Sequence, residues 1–169
     1  MDGERTVFES LGWQSLQRIA NCIYLKDGEV LLLQKPRRNW WAIPGGKMEI
    51  GETVKESAIR EFQEETGIKV IDPELKGIYT FIIKEDQSIS EWMMFTFLAT
   101  QGEGTLKEIT EEGILKWHPI DQISTLPMAE GDQSIIRQAL FGEGVAFGKF
   151  EYTADFELLS ETGTVEQPW

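Results

Sequence analysis

The stretch from Trp40 to Ile68 constrains this chain more than any other, because within a few residues it moves from a strand through a glycine-bearing loop into a helix with three glutamates. Trp40-Trp41-Ala42-Ile43 is strand-like and is stopped by Pro44-Gly45-Gly46. From Thr53 to Thr66 the pattern is helical: Val54, Ala58, Phe62 and, less regularly, Ile59 form an apolar stripe, and Gly67 is a C-terminal stop. Thr53 suits the N-cap, with Glu56 placed to complete a capping box. On this helix Glu61, Glu64 and Glu65 fall at i, i+3 and i+4, so they share one face, while Ala58 and Phe62 point to another, towards a core.

Like charges in one patch repel each other, and helix stability supplies no reason for them. Arg60 can neutralise one, most naturally Glu64 at i+4. Grouped carboxylate oxygens are what a hard cation such as Mg²⁺ or Mn²⁺ requires. A soft metal does not fit, since the other ligand types, Cys22 and His118, lie far apart in sequence. A solvated acidic face is the plain alternative for three glutamates on their own. The loop Lys47-Met48-Glu49-Ile50-Gly51 turns the reading towards a site, because its turn brings backbone carbonyls and Glu52 towards the helix.

The remaining chain reads as one α/β domain with mixed strands around a central sheet. Asn21 to Leu25 and Val30 to Leu33 flank Lys26-Asp27-Gly28, a strong hairpin signal. Strands are expected at Gly77 to Lys84, Glu91 to Thr100 and Ile114 to His118, then a helix at Asp132 to Phe141. Final strands are expected at Val145 to Tyr152 and Phe156 to Leu159. Val7 to Ala20 reads as a short helix or an arm, which divides the chain into an arm (1–20), a main domain (21–160) and a tail (161–169).

Composition excludes several classes. With 29 acidic and 16 basic residues the formal charge is −13, which argues against a surface that coats nucleic acid. The longest apolar stretch, Trp92 to Ala99, is strand-sized and far short of the ~20 residues of a membrane span. The N-terminus is acidic and lacks the basic region of a secretory signal, and one cysteine, Cys22, cannot form an internal disulfide. A reducing, cytoplasmic setting is expected.

Gly46, five residues, Glu52, seven residues, then Arg60-Glu61-Phe62-Gln63-Glu64-Glu65-Thr66-Gly67-Ile68 resembles the Nudix box at every fixed position. The resemblance implies an α/β/α sandwich with a mixed sheet and hydrolysis of a nucleoside diphosphate linked to a variable group. It implies that Glu61, Glu64 and Glu65, with the carbonyl of Gly45, bind divalent ions, while Glu52 and Arg60 hold loop and helix in register. Glu61 or Glu65 would orient or deprotonate the attacking water, and Glu112, before the strand at Ile114, would be a further metal-binding or basic glutamate.

Outside the box, Cys22 to Ser160 is similar to mutator-type Nudix enzymes that destroy oxidised purine nucleoside triphosphates, the mammalian version above all. That similarity implies Lys35 as a phosphate contact and Phe81 and Asp132 as base contacts. Ala129, Gly131 and Ala42 depart from a tryptophan, an aspartate and an asparagine used there for the purine. Asp132 has a second reading, as N-cap of the helix that follows. Trp40 and Trp41 are read either as core or as walls of a base pocket, and His118 as structural or surface-exposed. The expected activity is Mg²⁺- or Mn²⁺-dependent cleavage of a nucleoside triphosphate to monophosphate and pyrophosphate, with 8-oxo-dGTP as the leading substrate. Other diphosphate substrates (ADP-ribose, a dinucleoside polyphosphate, an RNA 5′ end) and a non-catalytic nucleotide sensor that binds a protein partner remain alternatives.

Overall fold

A computed structural model describes residues 16–163. The backbone is built on strand β1 (Gln17–Lys26), which turns through Asp27 and Gly28, both at positive φ, into β2 (Glu29–Lys35). Next come β3 (Trp40–Ala42), β4 (Gly45–Lys47) and the glutamate helix α1 (Val54–Thr66). β5 (Ile68–Val70), β6 (Glu74–Lys84), β7 (Ile89–Ala99) and β8 (Gly102–Gly104) follow. The remaining elements are β9 (Ile109–Thr110), β10 (Gly113–Pro119), a 3-10 turn at Ile120–Thr125, helix α2 (Glu130–Phe141), β11 (Ala146–Thr153) and β12 (Leu158–Thr162).

The strands order as β12-β11-β6-β7-β1-β2-β10-β9, with β4 pairing β1 and β3 pairing β2. The sheet is mixed: β1 with β7 and β6 with β11 run parallel, while β6 with β7 and β2 with β10 run antiparallel. Alternate residues of the central strands feed two separate cores. Cys22, Tyr24, Leu31 and Leu33 pack beneath Ala58 and Phe62 of α1. Ile23, Val30 and Leu32 face Ile135, Ile136 and Ala139 of α2. A strand covered on both faces must be apolar at successive positions, which is why Val30-Leu31-Leu32-Leu33 does not alternate with polar residues. The fold is the expected α/β/α sandwich. Phe62, fully buried, contributes ~1.5–3 kcal/mol by leaving water and fixes which face of α1 looks inward.

Several boundaries differ from the sequence expectations. Gln17 to Ala20 are strand rather than arm or helix, because β1 extends to pair with Trp92 to Phe95 of β7 and with β4; residues 7–15 of that expectation lie outside the described residues. β12 runs to Thr162, past the expected end of the domain at 160. Helix α2 begins at Glu130, with Ala129 as its N-cap, so Asp132 lies inside the first turn and is not the cap. Phe156 belongs to the turn between β11 and β12, at φ 63°, and not to a strand.

Candidate active site

Helix α1 is fixed at both ends as its sequence requires. The Thr53 hydroxyl accepts from the Glu56 amide at 3.1 Å, and the Glu56 carboxylate accepts from the Thr53 amide at 2.8 Å. At the other end Gly67 adopts φ 82° and donates to the Gln63 carbonyl. With the helix pinned, its three glutamates become unequal. Glu65 lies three residues beyond Phe62, on the edge of the buried stripe, and is 9% exposed. Glu61 lies on the flank, and Glu64 reaches into solvent with 59% of its side chain exposed.

Loop and strand close in on these side chains. The Gly45 amide donates to Glu65 Oε2 at 3.0 Å. This bond uses the Gly45 amide and leaves aside its carbonyl, the group that the resemblance implies as a metal ligand. A Cβ at Gly45 would run into the backbone of Ala20 and Asn21, and one at Gly46 would strike the Glu61 carboxylate, so both positions need glycine for close approach. Arg60 does more than the expected single pairing with Glu64. Its guanidinium grips Glu52 with two donors and also reaches Glu61 Oε1 (2.9 Å), Glu64 Oε2 (3.2 Å) and the Lys47 carbonyl (3.2 Å). Glu52 in turn accepts from the Glu49 amide at 2.9 Å, so Arg60 ties the loop to the helix through it.

The glutamates face a cavity of about 530 Å³ whose far wall is the β9–β10 turn with Glu111 and Glu112, and Lys107 lies at its rim. Burial pushes the Glu65 carboxyl up to about 7; Gly45 and Lys35 oppose the shift, and Glu112 and Glu61 add to it. A bound cation would remove that penalty. Among the described residues no three acidic or imidazole side chains converge tightly enough to cage an ion, and Arg60 occupies Glu61. An open set of oxygen donors is nevertheless what Mg²⁺ accepts, since it keeps several of its waters.

A second cavity, about 270 Å³, opens between Lys35, Trp40, Trp41, Ala129 and Asp132. It is small beside the ~300–1,000 Å³ of sites that enclose whole ligands, and it suits one planar ring system. Burial pushes Asp132 up to about 6, with Lys35 opposing. Lys35 lines this cavity, and its charge opposes the upward shift at both Asp132 and Glu65. Trp41 meets His118 edge-on at 4.2 Å, and His118, buried at 4% exposure, is held below its ordinary range by burial and by Lys116.

The structure brings Glu61, Glu64, Glu65 and Glu112 together, and Lys35 with Asp132. Phe81 is the exception: at 3% exposure it is a core residue, stacked 5.5 Å from Trp92 and 5.1 Å from Phe150, and does not line the cavity. It shares the buried face of β6 with Tyr79 and Ile83. Gly131 is a glycine because the start of α2 sits on the aromatic layer. Its amide donates to the Tyr152 hydroxyl at 2.8 Å, and a Cβ there would press on that hydroxyl and on Phe150. Sequence reading missed Arg38 and Phe156 in the cavity wall; the basic loop at 36–39 was visible, but Phe156 arrives through a long-range contact with no local signal.

An acidic helix face braced by an arginine thus lies beside a basic and aromatic pocket. The NUDIX domain family matches residues 15–139, and the chain belongs to the Nudix hydrolases. It is 56% identical over 146 residues to the Nudix hydrolase YvcI of Bacillus subtilis, covering 86% of this chain and 92% of that one. The crystal structure of the mutator MutT protein from Bacillus halodurans superposes with a TM-score of 0.83 at 52% identity, covering 86% of this chain and 96% of that one. Human 8-oxo-dGDP phosphatase NUDT18 is 36% identical over 107 residues, 59% of this chain and 31% of its own length. Nudix hydrolases act on small nucleotide substrates and generally use divalent metals. No helix among the described residues is long and apolar enough to cross a membrane.

Proposed function

We propose that this Nudix hydrolase cleaves a nucleoside triphosphate to the monophosphate and pyrophosphate in the presence of Mg²⁺ or Mn²⁺, with an oxidised purine nucleotide such as 8-oxo-dGTP as substrate. The observation that carries this reading is Lys35, which lines the aromatic cavity and whose charge also acts on Glu65 in the acidic one. A nucleotide laid across it puts its phosphates beside the glutamates and its base against Trp40, Trp41 and Asp132. Glu61, Glu64, Glu65 and Glu112 would hold the divalent ions, which would neutralise phosphate charge and lower the pKa of water. Lys35 would neutralise a phosphate oxygen from the other side. Arg60 engages Glu61, so Glu65 is the carboxylate better placed to orient the attacking water. Water adds to phosphorus as the bridging oxygen departs, and the proton that water loses passes to the carboxylate.

The similarity to an 8-oxo-dGDP phosphatase and to a mutator MutT protein supports a purine nucleotide substrate. A buried, reduced Cys22 is in keeping with a cytoplasmic setting. A nucleotide panel with Mg²⁺ or Mn²⁺, products identified chromatographically, tests the reading. Tight binding of one nucleotide with no hydrolysis of any would favour a sensor instead.

Asp132 decides the base preference. Asp132→Ala is expected to lower kcat/KM for the preferred purine nucleotide roughly tenfold, the lower end for losing a hydrogen bond to a charged group in a pocket open to water. A pyrimidine nucleotide should be barely affected, because its phosphates keep every contact. An unchanged purine-to-pyrimidine ratio would remove Asp132 from base recognition.

A further inference from the structure

The smaller cavity contains a feature that base recognition by Asp132 does not use. Two of its walls, Ala42 and Ala129, offer no ring for a base to stack on, and Trp41 is engaged with His118. Trp40 and Phe156 are left, and the guanidinium of Arg38 lies over both, 5.3 Å from the ring of Trp40 and 5.1 Å from that of Phe156. Arg38 also donates to the Asp155 carbonyl at 2.9 Å, so the β2–β3 loop is latched to the β11–β12 turn. A flat cation thus covers the two aromatic faces that this cavity offers a base.

Phe156 is held in this position at some cost to its backbone. At φ 63° it occupies the left-handed region, which a bulky side chain rarely enters, and such residues concentrate at ligand clamps. The turn enforces it: the Phe156 amide donates to the Thr153 carbonyl at 3.0 Å, and the Glu157 amide to the Thr153 hydroxyl at 3.1 Å. β11 and β12 lie beyond residue 139, where the family match ends, so the ring is brought by an element outside the matched domain.

We propose that Phe156 and Trp40 form the stacking slot for the nucleobase, and that Arg38 fills this slot until the base displaces it. The proposal rests on reading this cavity as the base site. Every base presents a π face that an aromatic ring can stack on, as the guanidinium does here.

The test compares binding of a non-hydrolysable α,β-methylene analogue of dGTP with binding of inorganic tripolyphosphate, which has no base, in Mg²⁺. The ratio of the two affinities isolates the base. Wild type should prefer the nucleotide; Phe156→Ala should lower that preference roughly tenfold or more, as loss of a stacking ring does. Phe156→Trp should retain it. Tripolyphosphate binding by Phe156→Ala should match wild type, which shows that the variant is folded around its metal site. Arg38→Ala empties the slot and should keep or raise the preference. An unchanged ratio in Phe156→Ala, or a fall in Arg38→Ala as large as in Phe156→Ala, overturns the proposal. So does a wild type that binds tripolyphosphate as tightly as the nucleotide. Because binding is measured apart from turnover, a lack of hydrolysis in the nucleotide panel would count against the proposed activity and leave this result standing.

Discussion

Glu65→Gln is expected to lower kcat at least ~10²-fold while the protein stays folded. The substitution keeps the shape of the side chain and an oxygen for the Gly45 amide, but removes the charge that a divalent ion and the attacking water both need. Turnover that persists undiminished in excess chelator would refute the metal dependence, whatever this variant does.

Stability should move in the opposite direction. The folded-state value of about 7 stands above the ordinary 4.5, so between those limits the folded chain retains a proton that the unfolded chain has released. Stability contributed by Glu65 therefore falls as pH rises through that window and stays at its lower level above it. The loss is at most roughly 3 kcal/mol, and ~2–4 °C of melting temperature accompanies each kcal/mol in a chain of this size. Without divalent ions, Glu65→Gln should melt several degrees above wild type at pH 8, and the two should converge near pH 4. Added Mg²⁺ should raise the wild-type melting temperature more than that of the variant. Melting curves at both pH values, with and without Mg²⁺, check this; a variant less stable than wild type at pH 8 in chelator would mean that Glu65 is not the strained carboxylate.

Where the sequence carried local information, it could be read directly. The capping box at Thr53 and Glu56, the stop at Gly67 and the inward stripe of Ala58 and Phe62 all depend on residues a turn or less apart, and the structure has each of them. The inequality of the three glutamates was also present in the spacing, since Glu65 follows Phe62 by three positions, but its burial depends on the strand that Gly45 brings alongside. Other features were set by partners distant in sequence. β1 reaches back to Gln17 because β7 and β4 offer edges to pair with. Phe81 fell into the core because β11 supplies Phe150 and Tyr152 to cover it. Phe156 could not be assigned to the site at all, since its relation to Trp40 runs through Arg38 across more than a hundred residues of chain.

Arg60→Ala should lower kcat/KM about a hundredfold, as removing a group that orients metal ligands does. Arg60 does not itself line the acidic cavity but bonds the glutamates that do, so its role is positioning. It grips Glu52 with two donors, and its remaining reach to Glu61 and Glu64 sets where their carboxylates stand. A rival account makes Arg60 a counter-charge that keeps the glutamates from repelling one another. Arg60→Lys separates the two. Lysine keeps the charge but lacks the planar fork, so it cannot hold Glu52 and Glu61 at once. Positioning predicts that Arg60→Lys stays close to Arg60→Ala, and that both need more Mg²⁺ for half-maximal rate; a counter-charge predicts that lysine restores most of the activity. The acid limb of stability supplies a second readout. Arg60 first, then the Glu49 amide, holds the Glu52 carboxyl down at about 2 against an ordinary 4.5. Stability from that bond is therefore present above pH 4.5 and lost as pH falls towards 2. The gap in melting temperature between wild type and Arg60→Ala should be widest at neutral pH and shrink steadily as the solution is acidified below 4.5. A gap that holds constant down to pH 2, together with recovery of activity by lysine, would reduce Arg60 to a screening charge.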